Sequence, residues 1–190
     1  MIHVGVDYSM TSPAVCIHDG GDWSIENCKI HYLTSTKKFE GNFGFCVGHS
    51  YPIYKDPEER FDIISSWVFS ILEKHCPVET GLNTPMFVTI EGYSMGSRGR
   101  VFHIAENTGL LKHKLWKHHI PFDTPAPTSV KKFATGKGNA NKERMHECFV
   151  AETSINPSEV LNSKVDGNPV SDVVDAYFMC KYGFDQNKPK

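Results

Sequence analysis

Four carboxylates limit what this chain can fold into, because each stands at the edge of an apolar segment. Asp7 closes the run Ile2-His3-Val4-Gly5-Val6, and Glu91 closes Met86-Phe87-Val88-Thr89-Ile90. Both runs read as buried strands. Asp172 and Asp175 lie three apart in Ser171-Asp172-Val173-Val174-Asp175-Ala176, and on a helix such a pair shares one face. Carboxylates gathered in a partly buried place repel one another and lose hydration. They call for cations, and hard oxygen ligands favour Mg²⁺ or Mn²⁺. If the fold brings the four together, they suit metal-dependent phosphoryl transfer, in which two divalent ions roughly 3.5–4 Å apart hold one scissile phosphate.

The 190 residues are expected to form a single domain over 1–184, with an insertion at 34–55 and a flexible tail at 185–190. No apolar run approaches a membrane span and no signal peptide is visible. Six scattered cysteines favour a reducing, intracellular compartment. The net charge of −2 is unevenly spread: residues 93–148 hold ten Lys/Arg against four Asp/Glu, a balance of +6, which leaves −8 for the rest. A basic middle beside an acidic remainder suits a protein that grips a phosphate backbone on one face, although an ordinary solvated surface has the same composition.

Strands are predicted at Ile2–Asp7, Ala14–His18 and Ile25–Leu33, the last two joined through Asp19-Gly20-Gly21-Asp22. Asp56-Pro57-Glu58-Glu59 starts a helix whose Phe61, Ile64, Val68, Ile71 and Leu72 recur at helical spacing until Pro77. A strand over Met86–Glu91 follows, then a helix over Phe102–His118 and a short strand at Pro121–Thr124. Further helices are expected over Ser129–Phe133, Ala140–Thr153 and Val170–Tyr182. Strands first, then helices alternating with strands, indicate an α/β fold.

This order resembles the ribonuclease-H-like nuclease fold, and within it the RuvC-like Holliday-junction resolvases. Gly5-Val6-Asp7 is similar to the family's first-strand motif. Thr89-Ile90-Glu91-Gly92 followed by Ala105-Glu106-Asn107-Thr108-Gly109 resembles its second carboxylate strand and helix. Pro127-Thr128-Ser129-Val130-Lys131-Lys132 with Gly136-Lys137-Gly138-Asn139-Ala140-Asn141-Lys142 resembles its V-K…G-x-G-x-A-x-K segment, and Asp172–Ala176 its closing D-x-x-D-A helix. Many bacterial members have Pro-Gly after the first Asp, where this chain has Tyr8-Ser9. The form Asp7-x-Ser9-x-x-Ser12 resembles divergent phage-type members. The resemblance implies a mixed five-stranded sheet flanked by helices, with Asp7, Glu91, Asp172 and Asp175 as catalytic and metal-binding residues for two Mg²⁺ or Mn²⁺ ions. It also implies paired nicks in four-way DNA junctions, each leaving a 5′ phosphate and a 3′ hydroxyl.

A dyad-symmetric junction calls for a homodimer. By the resemblance its interface falls at Ile104–Trp116, where Leu110, Leu111 and Leu115 serve either the interface or the core. Lys131, Lys132, Lys137 and Lys142 are candidate phosphate contacts, helped by Gly136, Gly138 and the following helix start. Arg98 and Arg100 are further DNA-binding candidates, and Tyr93 and Phe102 are candidates for stacking on bases. Cys28-x-x-His31 and Cys46-x-x-His49 repeat a zinc-like spacing, but strand positions three apart point to opposite faces, which argues against a shared ion. His103, His113, His118, His119 and His146 receive no role. Two rival readings remain: a same-fold nuclease for flaps, forks or RNA–DNA hybrids, and a non-catalytic branched-DNA-binding module.

Overall fold

A computed structural model describes residues 1–75, 85–93 and 101–187, with Val101 as backbone only. Its strands are β1 (Ile2–Asp7), β2 (Ala14–His18), β3 (Cys28–Thr34), β4 (Gly41–Asn42), β5 (Cys46–Ser50), β6 (Met86–Ile90) and β7 (Phe122–Asp123). The helices are α1 (Pro57–His75), α2 (Val101–Lys117), α3 (Pro127–Thr135), α4 (Lys142–Thr153), α5 (Pro157–Val160) and α6 (Val170–Gln186). Among the described residues no helix is long and apolar enough to cross a membrane. Pro77, Arg98 and Arg100 lie outside the described residues.

The strands form one mixed sheet in the order β4-β5-β3-β2-β1-β6-β7. β2 runs antiparallel to both of its neighbours, β1 and β3, while β6 lies parallel to β1 and β7 parallel to β6. Among the described residues the sheet thus has seven strands rather than the expected five. The difference lies in residues 34–55, where β5 pairs in parallel with β3 from Ile30↔Cys46 to Thr34↔Ser50 and β4 closes the edge. Gly48 permits this tight packing, since a Cβ there would lie 2.8 Å from Tyr32 Oη. That hydroxyl donates to the Phe39 carbonyl at 2.7 Å. β3 also begins later than predicted, because Ile25–Asn27 forms a 3-10 turn capped by Ser24.

The two sheet faces bury different helices. Ile2, Val4, Val6, Val15, Ile17 and Val88 meet Ile64, Val68, Ile71 and Leu72 of α1 and Leu111 and Leu115 of α2. Leu111 and Leu115 are fully buried there, so they are core residues and cannot form a dimer interface; Leu110 remains exposed. The start of α1 is doubly fixed: Glu59 N donates to Asp56 Oδ1 at 2.8 Å, and Glu59 Oε2 accepts from Lys55 N at 2.7 Å. These bonds satisfy amides that the helix itself leaves unpaired.

On the other face α6 crosses β1 and β2, with α4 packed outside it through Phe149 and Tyr177. Two glycines set its depth. A Cβ on Gly5 would collide with backbone atoms of Ala176 and Cys180, lying 2.7 Å from Cys180 Cα. A Cβ on Gly183 would strike the Thr89 side chain. Helix backbone therefore rests almost directly on strand backbone, and this close seat carries the first turns of α6 to the end of β1.

Candidate active site

Register alone brings the first two acids together. β1 and β6 are paired up to Val6↔Ile90, and Glu91 N continues the ladder by donating to Val6 O at 3.2 Å. Asp7 and Glu91 therefore end neighbouring parallel strands on the same side of the pleat. The site loop is held beyond them by Gly92 N, which donates to Pro125 O at 2.9 Å. α6 adds Asp172 and Asp175 from above. Asp7 and Asp172 are buried, while Glu91 and Asp175 retain partial exposure.

All four acids are shifted upward, with burial the largest cause in each. Burial, then Asp172, Glu91 and Asp175, push the Asp7 carboxyl well above the ordinary range. Burial and Asp175 raise Glu91 to about 7. Burial raises Asp172 to about 6 against the opposing pull of Ser12 and Lys142. Asp175 is likewise raised by burial to about 6, offset by Lys142 and Lys131. Four carboxylates thus face two ammonium groups, which leaves a surplus of negative charge in a poorly solvated place.

The lysines separate into two groups. Lys131 on α3 and Lys142 at the start of α4 act on the acids, and Lys142 Nζ donates to Ser171 Oγ at 2.8 Å. Lys132 and Lys137 are exposed. Gly136 adopts the left-handed conformation (φ 79°) that ends α3, and Asn141 caps α4 by accepting from Arg144 N at 3.0 Å. Of the proposed stacking residues, Phe102 is 79% exposed on the first turn of α2, whereas Tyr93 has the Lys112 ammonium 4.7 Å from its ring centre.

Three residues without a role in the sequence reading stand at the site. Ser12 is buried near Asp172, yet neither Ser12 Oγ nor Asp172 Oδ2 has a hydrogen-bond partner of good geometry. Ser171 anchors Lys142. His146 is buried with an unpartnered Nε2 and lines a narrow crevice with Lys142, Ser171 and Asp175. The pattern Asp7-x-Ser9-x-x-Ser12 carried the signal for Ser12; Ser9 Oγ accepts from Ser12 N at 3.0 Å and shapes that turn.

The donor chemistry fits a divalent cation: only carboxylate oxygens converge, and Asp172 Oδ2 is a buried acceptor without a donor. Among the described residues no three His, Cys, Asp or Glu side chains already enclose a single point. The acids form a cluster rather than a closed shell, which suits an ion that keeps several waters or phosphate oxygens. The zinc-like pairs do not assemble. Cys28 and Cys46 pack on the α6 face. His31 and His49 meet each other at 3.0 Å on the opposite face, beside His75 and Trp67 of α1.

A seven-stranded mixed α/β sheet ending in acids from β1, β6 and α6 has the architecture of the ribonuclease-H-like fold. No protein-family model matches the chain, and neither does any curated protein. Among solved structures, Thermus thermophilus RuvC aligns with a TM-score of 0.58 at 14% identity, over 100% of this chain and 99% of that one. T. thermophilus RuvC in complex with a Holliday junction substrate aligns with a TM-score of 0.60 at 13% identity, over the same shares. The fold of the described residues is therefore RuvC-like.

Proposed function

We propose that the chain is a metal-dependent, structure-selective endonuclease that resolves four-way DNA junctions by paired symmetric nicks. The observation that carries this reading is the convergence of Asp7, Glu91, Asp172 and Asp175, from two strands and a helix, into one under-neutralised cluster beside Lys131 and Lys142. The full-length likeness to RuvC, one of whose structures holds a Holliday junction substrate, supports it. Pure binding of a polyanion has no use for four clustered acids, which weighs against a silent DNA-binding module.

Two Mg²⁺ or Mn²⁺ ions, when bound, would supply an activated water and stabilise the leaving 3′ oxygen. The chain's own residues do the rest. Asp7, fixed by the sheet, and Glu91 beside it offer oxygen ligands whose positions the backbone sets. Asp172 and Asp175 complete the donor set from α6. Lys131 and Lys142 attract the phosphate and moderate the acids' repulsion, while Lys132, Lys137, Arg98 and Arg100 extend the sequence-independent grip on the backbone. Phe102 stacks on a base at the branch point. Two copies acting about a dyad make the two nicks, and the serine-bearing Asp7 motif aligns the chain with phage-type members acting in the host cytoplasm.

Metal linkage gives the first test. The acids' folded values lie above their unfolded ones, so the folded state holds protons more tightly from about pH 4 to 7 and the metal-free protein loses stability as pH rises through that window. Mg²⁺ at a hundred times its dissociation constant adds about 2.7 kcal/mol, or roughly 5–10 °C for a domain of this size. Thermal melts with and without Mg²⁺ should show that gain at pH 8 and little of it at pH 5. An equal shift at both pH values would detach the metal from the acids.

Substrate choice gives the second. A fixed four-way junction, a flap and an RNA–DNA hybrid are incubated with the protein and Mg²⁺. The junction is expected to be cut at least tenfold faster than either rival. Faster cleavage of the flap or the hybrid would favour the looser same-fold nuclease.

A further inference from the structure

We propose that a cavity on the outer side of the loop following Asp7 receives a single unpaired nucleobase of the DNA, adjacent to the phosphate being cut; this rests on the nuclease reading above. The cavity, of about 270 Å³, is lined by Met10, Tyr54, Lys55, Asp56, Pro57, Arg60 and His103. It is slightly smaller than the roughly 300–1,000 Å³ of drug-sized pockets, so it holds one flat ring system rather than a length of strand.

The loop between β1 and β2 links this cavity to the acids. On its inner side Ser12 stands against Asp172. On its outer side the Met10 carbonyl accepts from Arg60 Nη2 at 2.7 Å and from Tyr51 Oη at 2.9 Å. Met10 is three residues beyond Asp7, at most about 11 Å along an extended chain. A nucleotide next to the scissile phosphate can span that distance.

The walls are built for a planar occupant. The Arg60 guanidinium lies 4.8 Å from the Tyr54 ring centre and 5.7 Å from that of Tyr51. Arg60 Nε also donates to Tyr51 Oη at 3.2 Å, which holds the plane of the guanidinium in place. The His103 ring, also in the lining, packs 6.0 Å from that of Phe61. Tyr54 is 39% exposed, so part of its ring is accessible for stacking. A phosphate is a poor occupant. Lys55 and Arg60 are balanced by Asp56 in the lining, by Glu59 bonded to Lys55 N, and by Glu106 at 3.5 Å from His103. Flat rings, a fixed guanidinium and near-balanced charge favour a neutral base with a polar edge.

The test uses the full chain and a fixed four-way junction carrying one 2-aminopurine at each position around the cut in turn. Binding is followed with Asp7→Asn, so the DNA stays intact. At one position the fluorescence should change on binding, and adding Tyr54→Ala should remove most of that change. In the otherwise native chain Tyr54→Ala should slow single-turnover cleavage about tenfold, the scale of one lost stacking contact, with junction affinity by anisotropy within threefold. Tyr54→Phe, which keeps the ring, should restore both signals. If the junction is bound and cut but no position responds to Tyr54→Ala, the pocket assignment is overturned and the nuclease reading stands. If the junction is neither bound nor cut, both fall together.

Discussion

Asp7→Asn should lower junction nicking by about a thousandfold or more while junction binding survives unchanged or tightens. Loss of one preorganised charge-stabilising donor typically costs about 10²–10³ in rate, and Asp7 is expected to act as a ligand as well. Its burial, and the like charges of Asp172, Glu91 and Asp175 near it, explain the opposite effect on binding: removing one charge from a cluster that repels phosphate favours the complex. The same substitution should raise the melting temperature of the metal-free protein at pH 8, because a buried carboxylate held against like charges is lost. Rate, affinity and stability thus move in a pattern that simple misfolding cannot reproduce. Nicking at the native rate would contradict the assignment of Asp7.

Gly5→Ala should be the most damaging small change in the fold. The new methyl group meets backbone atoms of Ala176 and Cys180, which no rotamer change can move aside. Overpacking costs typically 1–3 kcal/mol and occasionally more, so a loss of about 3 kcal/mol is expected here. For a chain of this length that corresponds to a melting temperature lower by roughly 6–12 °C. Relief requires α6 to lift from β1, which also draws Asp172 and Asp175 away from Asp7. Cleavage should therefore fall even at temperatures where the variant remains folded. Gly109→Ala is the matched control: nothing lies within 4 Å of a Cβ there, and on α2 alanine should add up to about 1 kcal/mol. Equal melting temperatures for Gly5→Ala and the parent would show that α6 does not rest on Gly5 as described.

Much of this arrangement was legible in residue patterns. β1, β2 and β6 are apolar runs, and Asp56, Pro57 and Glu59 signal the start of α1. The four acids could be picked out because a carboxylate at the end of a buried strand needs a reason to be there. Other features depend on partners far away in the chain. β5 is Cys-Val-Gly-His-Ser, a weak strand sequence that gains its place from pairing with β3 on one side and β4 on the other. Leu110 and Leu111 are consecutive members of one apolar helix, and only the position of α1 decides that Leu111 is core while Leu110 is exposed. Lys131 and Lys132 are neighbours in sequence, yet the turn of α3 directs their influence differently. Ser12, Ser171 and His146 are ordinary residues whose place at the site follows from where β1, α4 and α6 meet.

The most direct test of the central claim is mapping the products on a fixed four-way junction in Mg²⁺. Two nicks should fall at symmetric positions on opposing strands, and DNA ligase should reseal them, as ends with a 5′ phosphate and a 3′ hydroxyl require. They should vanish together in Asp7→Asn. An intact junction, or a single unpaired cut that persists in that variant, would contradict a resolvase built on these four acids.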